Sequence, residues 1–402
     1  MMKRSIAVLL AVSVLLGVAA VSFAADPKYT KSSTFGPKIT DGVTDEFLQM
    51  VRDDPDIKKG KPLRLGGAIS NDDLKKVASL ADVLTGLLME RTNDVTDLSA
   101  LSGLSGLTYL KLDGLKGVTT LAPLGALVKM KELEIRQVEY PDLDFLTGMN
   151  DLESLVFFMQ PKTIEDISPL KGKAKLKKLH LYSAPISDIS VLEELSELED
   201  LSLYMIKADD LSPIGVLTKL KRLSLYSIPA TDMSPVENLT ELRYIWIYAT
   251  KFEDYSPLEN LTKLEEFHGG LSKLDTLEYV EFMPKLKVVK MLLEDIIDVS
   301  PLAKCPNLKE VVLESITGPV DLAVFEGLKK LEALDVEGCK VLNPEAITAL
   351  PRLQRLDLQK TEGVADFSMF KDLPKLKYIY AKVGQFPDEQ IAPYGKKAII
   401  QK

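Results

Sequence analysis

Apolar residues recur along this chain on a beat of 22. Leu176, Leu198, Leu220, Leu242, Leu264, Leu286 and Leu308 follow one another at that spacing. Each sits in the same apolar pattern, as in Leu217-x-x-Leu220-x-x-Leu223-x-Leu225. The pattern runs back through Leu152, Met130 and Leu107 and forward through Leu331, Leu353 and Leu376, at spacings of 22 to 24. A degenerate copy stands at Ala81-Leu84-Leu87-Met89. Self-similarity at this period predicts stacked units rather than one globular core.

Each copy changes period internally. Segments such as Leu179-His180-Leu181 and Leu201-Ser202-Leu203 alternate apolar and polar, which predicts a short strand with one face buried. A turn signal follows, Asp166-Ile167-Ser168-Pro169, repeated from Asp210, Asp232, Asp254 and Asp298. Serine is expected to cap a helical turn there, with proline at its first position, where a missing N–H is no loss. A short helical or 3-10 segment such as Pro257–Leu261 then returns the chain to the next strand. One coil cannot bury enough apolar surface to offset its backbone ordering, so neighbours must share burial and strand hydrogen bonds. The expected fold is an α/β solenoid with a concave parallel β-sheet and short helical or 3-10 segments on the convex side.

At these residues the chain resembles the internalin-type leucine-rich-repeat proteins of bacteria. Ile186-Ser187-Asp188-Ile189-Ser190, Asp232–Thr240 and Asp254–Thr262 carry the likeness, which covers roughly residues 81–382. It implies a curved solenoid used to recognise other molecules. The chain departs from that family where an asparagine usually follows the strand: Ala184, Ile206, Ile228, Thr250 and Cys339 stand there instead. No Ig-like domain or cell-wall sorting signal is recognisable, so host-cell invasion is not carried over.

Residues 25–80 read as an N-terminal cap. Asp45–Arg52 is expected to form a helix burying Phe47, Leu48 and Val51, Leu63-Arg64-Leu65 an edge strand, and Asn71 the N-cap of a second helix. Residues 383–402 are expected to cover the other end or fray. At the start, Lys3 and Arg4 precede a mostly apolar stretch from Ile6 to Val21, and Ser22-Phe23-Ala24 offers small residues where a signal peptidase reads. Residues 1–24 are thus expected to be a signal peptide, and the mature chain to be exported, periplasmic or extracellular. The net charge of -9 argues against nucleic acid. Nothing after the leader is long and apolar enough to span a bilayer. The two cysteines, Cys305 and Cys339, fall where small apolar residues belong, which predicts buried free thiols.

Candidate binding residues come from the strand positions that alternation turns away from the core. Phe158, Tyr182, Tyr204, Tyr226 and Tyr248 share one such position, the tyrosines at 22-residue spacing. The single tryptophan, Trp246, the only two histidines, His180 and His268, and Tyr244 fall on the same face. Two uses are open and compatible. An exposed aromatic strip is a recognition surface; tyrosines repeated at one site also stack on each other and stiffen a sheet. The first predicts a binder of a protein or peptide, or of a glycan through sugar stacking; the second, a structural envelope spacer. Glu310, Glu314, Asp335, Glu337 and Asp357 share the inner face and read as a solvated acidic surface in preference to a site for a basic ligand or cation. Gly269-Gly270 replaces the usual Leu-Tyr pair, leaving either a notch beside Trp246 and His268 or a weakened strand.

Signals for catalysis are absent: no phosphate-cradling glycine loop, His-Glu-x-x-His, Cys-x-x-Cys or Gly-x-Ser-x-Gly occurs. His180 and His268 lie four coils apart, about 19 Å by strand spacing, too far to share a metal. A non-enzymatic binding protein without cofactor is expected.

Overall fold

A computed structural model of the chain describes residues 29–30, 35–158, 164–394 and 398–401. The proposed leader, residues 1–24, lies outside them. Strands of mostly five residues recur at the repeat beat, for example Lys178–Tyr182, Asp200–Tyr204, Arg222–Tyr226, Tyr244–Tyr248 and Glu266–Gly270. Each pairs in parallel with the next and in register, so that Leu201, Leu223 and Ile245 stand side by side. The sheet runs without interruption from Lys38–Asp41 to the strand Ala398–Gln401. A solenoid whose repeat strands form a parallel sheet, joined by short helical segments, is therefore the architecture; only the two-residue strand Tyr29–Thr30 pairs antiparallel, on Lys38–Asp41. Its core is one continuous column of the repeat leucines and their equivalents, almost all inaccessible to water.

Between strands, 3-10 turns such as Ser212–Val216, Ser234–Asn238 and Ser256–Asn260 return the chain, with proline in the first turn. The expected serine cap is corrected: serine is the donor. Asp210 accepts from the Ser212 N–H at 2.8 Å and from its hydroxyl at 3.0 Å. The Asp232–Ser234, Asp254–Ser256 and Asp298–Ser300 pairs repeat this arrangement. Asp-x-Ser is thus a self-contained turn motif in which the carboxylate accepts both serine protons.

At the carboxyl end of most repeat strands the chain bends through a left-handed residue. Ser183, Met205, Ser227, Ala249, Leu271 and Leu293 have φ between 49° and 61°. That conformation is unfavourable for a residue with a Cβ. It persists because the strand before it is hydrogen-bonded on both sides and the residue after it is buried, or half-buried in the one case of Ser272. At that following position Ala184, Ile206, Ile228 and Cys339 are core residues and Thr250 is buried, so mostly apolar packing stands where an asparagine ladder would.

Along the opposite rim, just before the strands, charges alternate from coil to coil. Lys175 bonds Asp151 at 2.5 Å, Lys219 bonds Glu197 at 2.5 Å, and Lys263 bonds Glu241. A second row pairs Lys177 with Glu153, Lys221 with Glu199 and Lys287 with Glu265. Exposed pairs each add little stability, but a slipped stacking would place like charges together.

The N-terminal segment packs onto the first coil. The helix Asp45–Asp53 buries Phe47 and Val51, while Leu48 is half-buried. Two expectations are corrected. Leu63–Ala68 is an interior strand, because Lys38–Asp41 pairs on its outer side. The second helix, Asn71–Val77, is capped by Ser70, whose hydroxyl accepts from the Asp73 N–H while Asp73 accepts from the Ser70 N–H. At the other end, Asp388–Ile391 is helical, and Ala398–Gln401 pairs on Tyr378–Ala381. Cys305 and Cys339 are buried free thiols.

Candidate functional site

Parallel register places every candidate on one wall. Tyr182, Tyr204, Tyr226 and Tyr248 are direct cross-strand neighbours. Their rings form a stack, 5.0 Å between Tyr182 and Tyr204, 3.8 Å between Tyr204 and Tyr226, and 5.0 Å between Tyr226 and Tyr248. The last two pairs are parallel within 6°. Phe158 extends the stack at 5.1 Å from Tyr182 and carries the Arg136 guanidinium over its face at 5.2 Å. Together the central tyrosines make a hydrophobic cluster separate from the leucine core.

Stacking changes what this strip offers to solvent. Tyr204, Tyr226 and Tyr248 are only 5%, 7% and 3% exposed. The expectation that all these side chains stand open to water is corrected for those three, because each ring is covered by the rings of the coils beside it. Trp246 adds to the cover, with its indole 6.3 Å from Tyr204, 5.8 Å from Tyr226 and 6.1 Å from Tyr248. Ser224, its neighbour across the strands, and Ser202 beyond leave the space an indole needs to reach two coils away. Burial drives the Tyr204 phenol far above its ordinary range and Tyr248 up to about 12, so neither ionises at neutral pH.

The half-exposed members are Phe158, His180, Tyr182, Tyr244, Trp246 and His268. Tyr244 lies between two partners: the Arg222 guanidinium is 3.9 Å above its ring, and His268 meets it edge-on at 5.1 Å. Burial, with Lys290 nearby, pushes His268 down to about 4, so the ring is neutral. Its Nε2 has no hydrogen-bond partner. His180 Nε2 is 3.0 Å from Asp200. Burial raises Asp200, but that hydrogen bond and the charges of His180, Lys178 and Arg222 hold its carboxyl below the ordinary value. Sequence reasoning missed Arg222 and Asp200; their strand position, two before the aromatic column's serines, was the available signal.

Gly269-Gly270 opens no notch. A Cβ at Gly270 would stand 2.3 Å from Cε2 of Tyr248, and one at Gly269 would stand 2.9 Å from Met291 Sδ. The absent side chains are replaced by those two groups, and Gly270 lets the last tyrosine lie flat against the next strand. Gly270→Ala is accordingly expected to lower stability by about 1–3 kcal/mol, through overpacking of the Tyr248 ring. Urea unfolding checks this; an unchanged midpoint would remove the role given to Gly270.

Towards the carboxyl end the wall turns acidic. Glu310 is held low: against the upward push of burial, Lys290 at 3.1 Å and Arg355 at 2.7 Å lower it. Asp335 is pushed up to about 7 by burial and by Asp357, Glu314 and Glu337, against the Glu337 N–H it accepts. Glu314 and Asp357 are also raised, chiefly by burial. Among the described residues no group of three or more His, Cys, Asp or Glu is placed to hold a metal ion.

A further residue escaped the sequence reading. Glu294 stands in the column of Ala184, Ile206, Ile228 and Thr250 and is 1% exposed. It accepts from the Ser272 hydroxyl at 2.7 Å and from the Ser272 N–H. The hydroxyls of Thr250 and Tyr255 are buried close by. Counting 22 residues on from Thr250 and Ser272 would have flagged a carboxylate in a buried file.

The fold and its wall of registered side chains define a leucine-rich-repeat protein. Solved structures agree. An internalin (inlF) of Listeria monocytogenes superposes with a TM-score of 0.62 at 25% identity, over 80% of this chain and 88% of that one. A leucine-rich-repeat protein of Leptospira interrogans superposes with a TM-score of 0.63 at 18% identity, over 88% of this chain and 98% of that one. A plant peptide hormone receptor, solved with its peptide RGF2, gives 0.52 at 14% identity, over 84% of this chain and 65% of that one. No protein-family model and no curated protein matches the chain. The relation to internalins is therefore one of superfamily fold at low identity.

Proposed function

We infer that the chain is an exported binding protein that recognises a protein or peptide partner through the aromatic wall of its concave face. The observation that carries this reading is the half-exposed set around Tyr244 and Trp246. An aromatic ring flanked by a guanidinium and a neutral imidazole, with an indole two residues further along the same strand, offers apolar area and hydrogen-bond donors on one face, as recognition hot spots do. The buried tyrosines act behind it, holding the wall rigid so that little ordering entropy is lost on binding. The leader-like residues 1–24 support an extracytoplasmic location. No helix among the described residues is long and apolar enough to cross a membrane.

The tyrosine stack also favours a second reading, a structural spacer whose aromatic column is cohesive only. The double variant Tyr244→Ala/Trp246→Ala separates the two. Binding predicts that it melts within a few degrees of the native chain but no longer retains the partner captured by the native protein from the envelope fraction. Capture by both proteins alike, or by neither, would leave the spacer.

A further inference from the structure

We propose that the rim at the carboxyl ends of the strands holds a second binding site, a cleft that takes an acidic side chain from an extended, apolar-flanked segment of a partner protein. The proposal does not rest on the concave-face reading, since it uses different residues on a different surface. The cleft, about 280 Å³, is floored by Ile206, Ser227, Pro229 and Ala249 and flanked by Lys207 and Lys251.

Its form follows from the repeat. Lys207, Pro229 and Lys251 occupy one repeat position in three successive coils. The two lysines therefore stand about 10 Å apart by strand spacing, with proline between them. Proline has a short, uncharged ring, so the middle coil is recessed between two long cationic arms. Those arms converge easily on one carboxylate. The floor is apolar except for the exposed Ser227, whose N–H is already committed to the Tyr248 carbonyl at 2.8 Å.

Charge decides the class of occupant. The opposite rim is neutralised pair by pair, as in Lys219–Glu197 and Lys287–Glu265. Among the described residues neither Lys207 nor Lys251 has a carboxylate within the 4.0 Å of an ion pair. The next lysine in their column, Lys273, does have one, Glu253 at 2.8 Å. The column thus already holds a carboxylate where the chain supplies one and lacks it at the two arms of the cleft. The net charge of -9 makes an uncompensated cationic pair on an apolar floor a local exception. Apolar side chains line the same edge: Met205, Leu271 and Leu293 are 43%, 47% and 46% exposed. A free small acid would leave them uncovered, whereas an extended segment with apolar residues beside its acid would cover them.

The test uses two peptides on the full chain, acetyl-Leu-Glu-Leu-amide and its glutamine counterpart acetyl-Leu-Gln-Leu-amide, followed by backbone amide NMR. The glutamate peptide is expected to shift Lys207, Ser227, Ala249 and Lys251 with an affinity that falls as salt rises. The glutamine peptide is expected to leave them in place. Lys207→Gln/Lys251→Gln should weaken the glutamate peptide roughly threefold or more, with an unchanged circular dichroism spectrum because both side chains are exposed. Trp246→Ala should leave it bound, which keeps failure here distinct from failure of the concave-face reading. Equal shifts from both peptides, no shifts from either, or undiminished binding by the double variant would overturn the proposal.

Discussion

Glu294→Gln is expected to stabilise the folded chain by roughly 3 kcal/mol near pH 8, and to change its stability little below about pH 4. Burial pushes the Glu294 carboxyl from 4.5 up to about 7, against the hydrogen bonds it accepts from Ser272. The sign follows from linkage. A carboxyl whose folded pKa lies above its unfolded one binds its proton more tightly in the fold. Its protonated form is fully compatible with the core below the unfolded pKa. Stability is then lost as pH climbs from about 4.5 to about 7, and the loss is complete above that. Glutamine keeps an acceptor for Ser272 and never ionises, so it removes the loss. Asp335, also raised to about 7, adds a slope of the same sign that the variant leaves in place. Urea unfolding at both pH values reads the difference. Equal stability of the two proteins near pH 8 would mean that Glu294 is solvated or paired in solution.

The second large effect concerns the tyrosine column. Tyr226→Ala is expected to destabilise the chain by about 3 kcal/mol, in the range for removing a buried aromatic ring. Tyr226→Phe should be close to neutral. The reason is position. Tyr226 is the central ring, parallel to Tyr204 on one side and Tyr248 on the other, and touched edge-on by Trp246. Its loss uncovers three neighbours at once. Near-ultraviolet circular dichroism should lose intensity in the alanine variant and retain it in phenylalanine. A stability loss well under 1 kcal/mol would show that the rings stack without cohesion.

Much of this could be read before any coordinates. Period 22 at Leu176 through Leu308 implied the coil, and alternation in Leu179-His180-Leu181 implied which residues face the core. Because stacking is in register, equal repeat positions become neighbours, so the alignment of Tyr182, Tyr204, Tyr226 and Tyr248 was legible as arithmetic. Details set by side-chain direction were not. Asp210 and Ser212 exchange the roles expected for a cap because the aspartate, two residues earlier, points back at the turn. Asn71 yields the cap position to Ser70 for a comparable reason: the reciprocal bonds with Asp73 fit only one register.

The amino-acid sequence by itself determined the solenoid, its parallel sheet and the membership of each column, since in-register stacking of a repeated pattern brings equal positions side by side. Only the tertiary structure decided how far those columns are covered. Ring separations of 3.8 to 5.0 Å withdraw Tyr204, Tyr226 and Tyr248 from water and leave Tyr244, Trp246 and His268 half-open. The same placement sinks Glu294 into the core. Burial depends on how neighbouring coils fill the space around a side chain, and repeat spacing carries no measure of that.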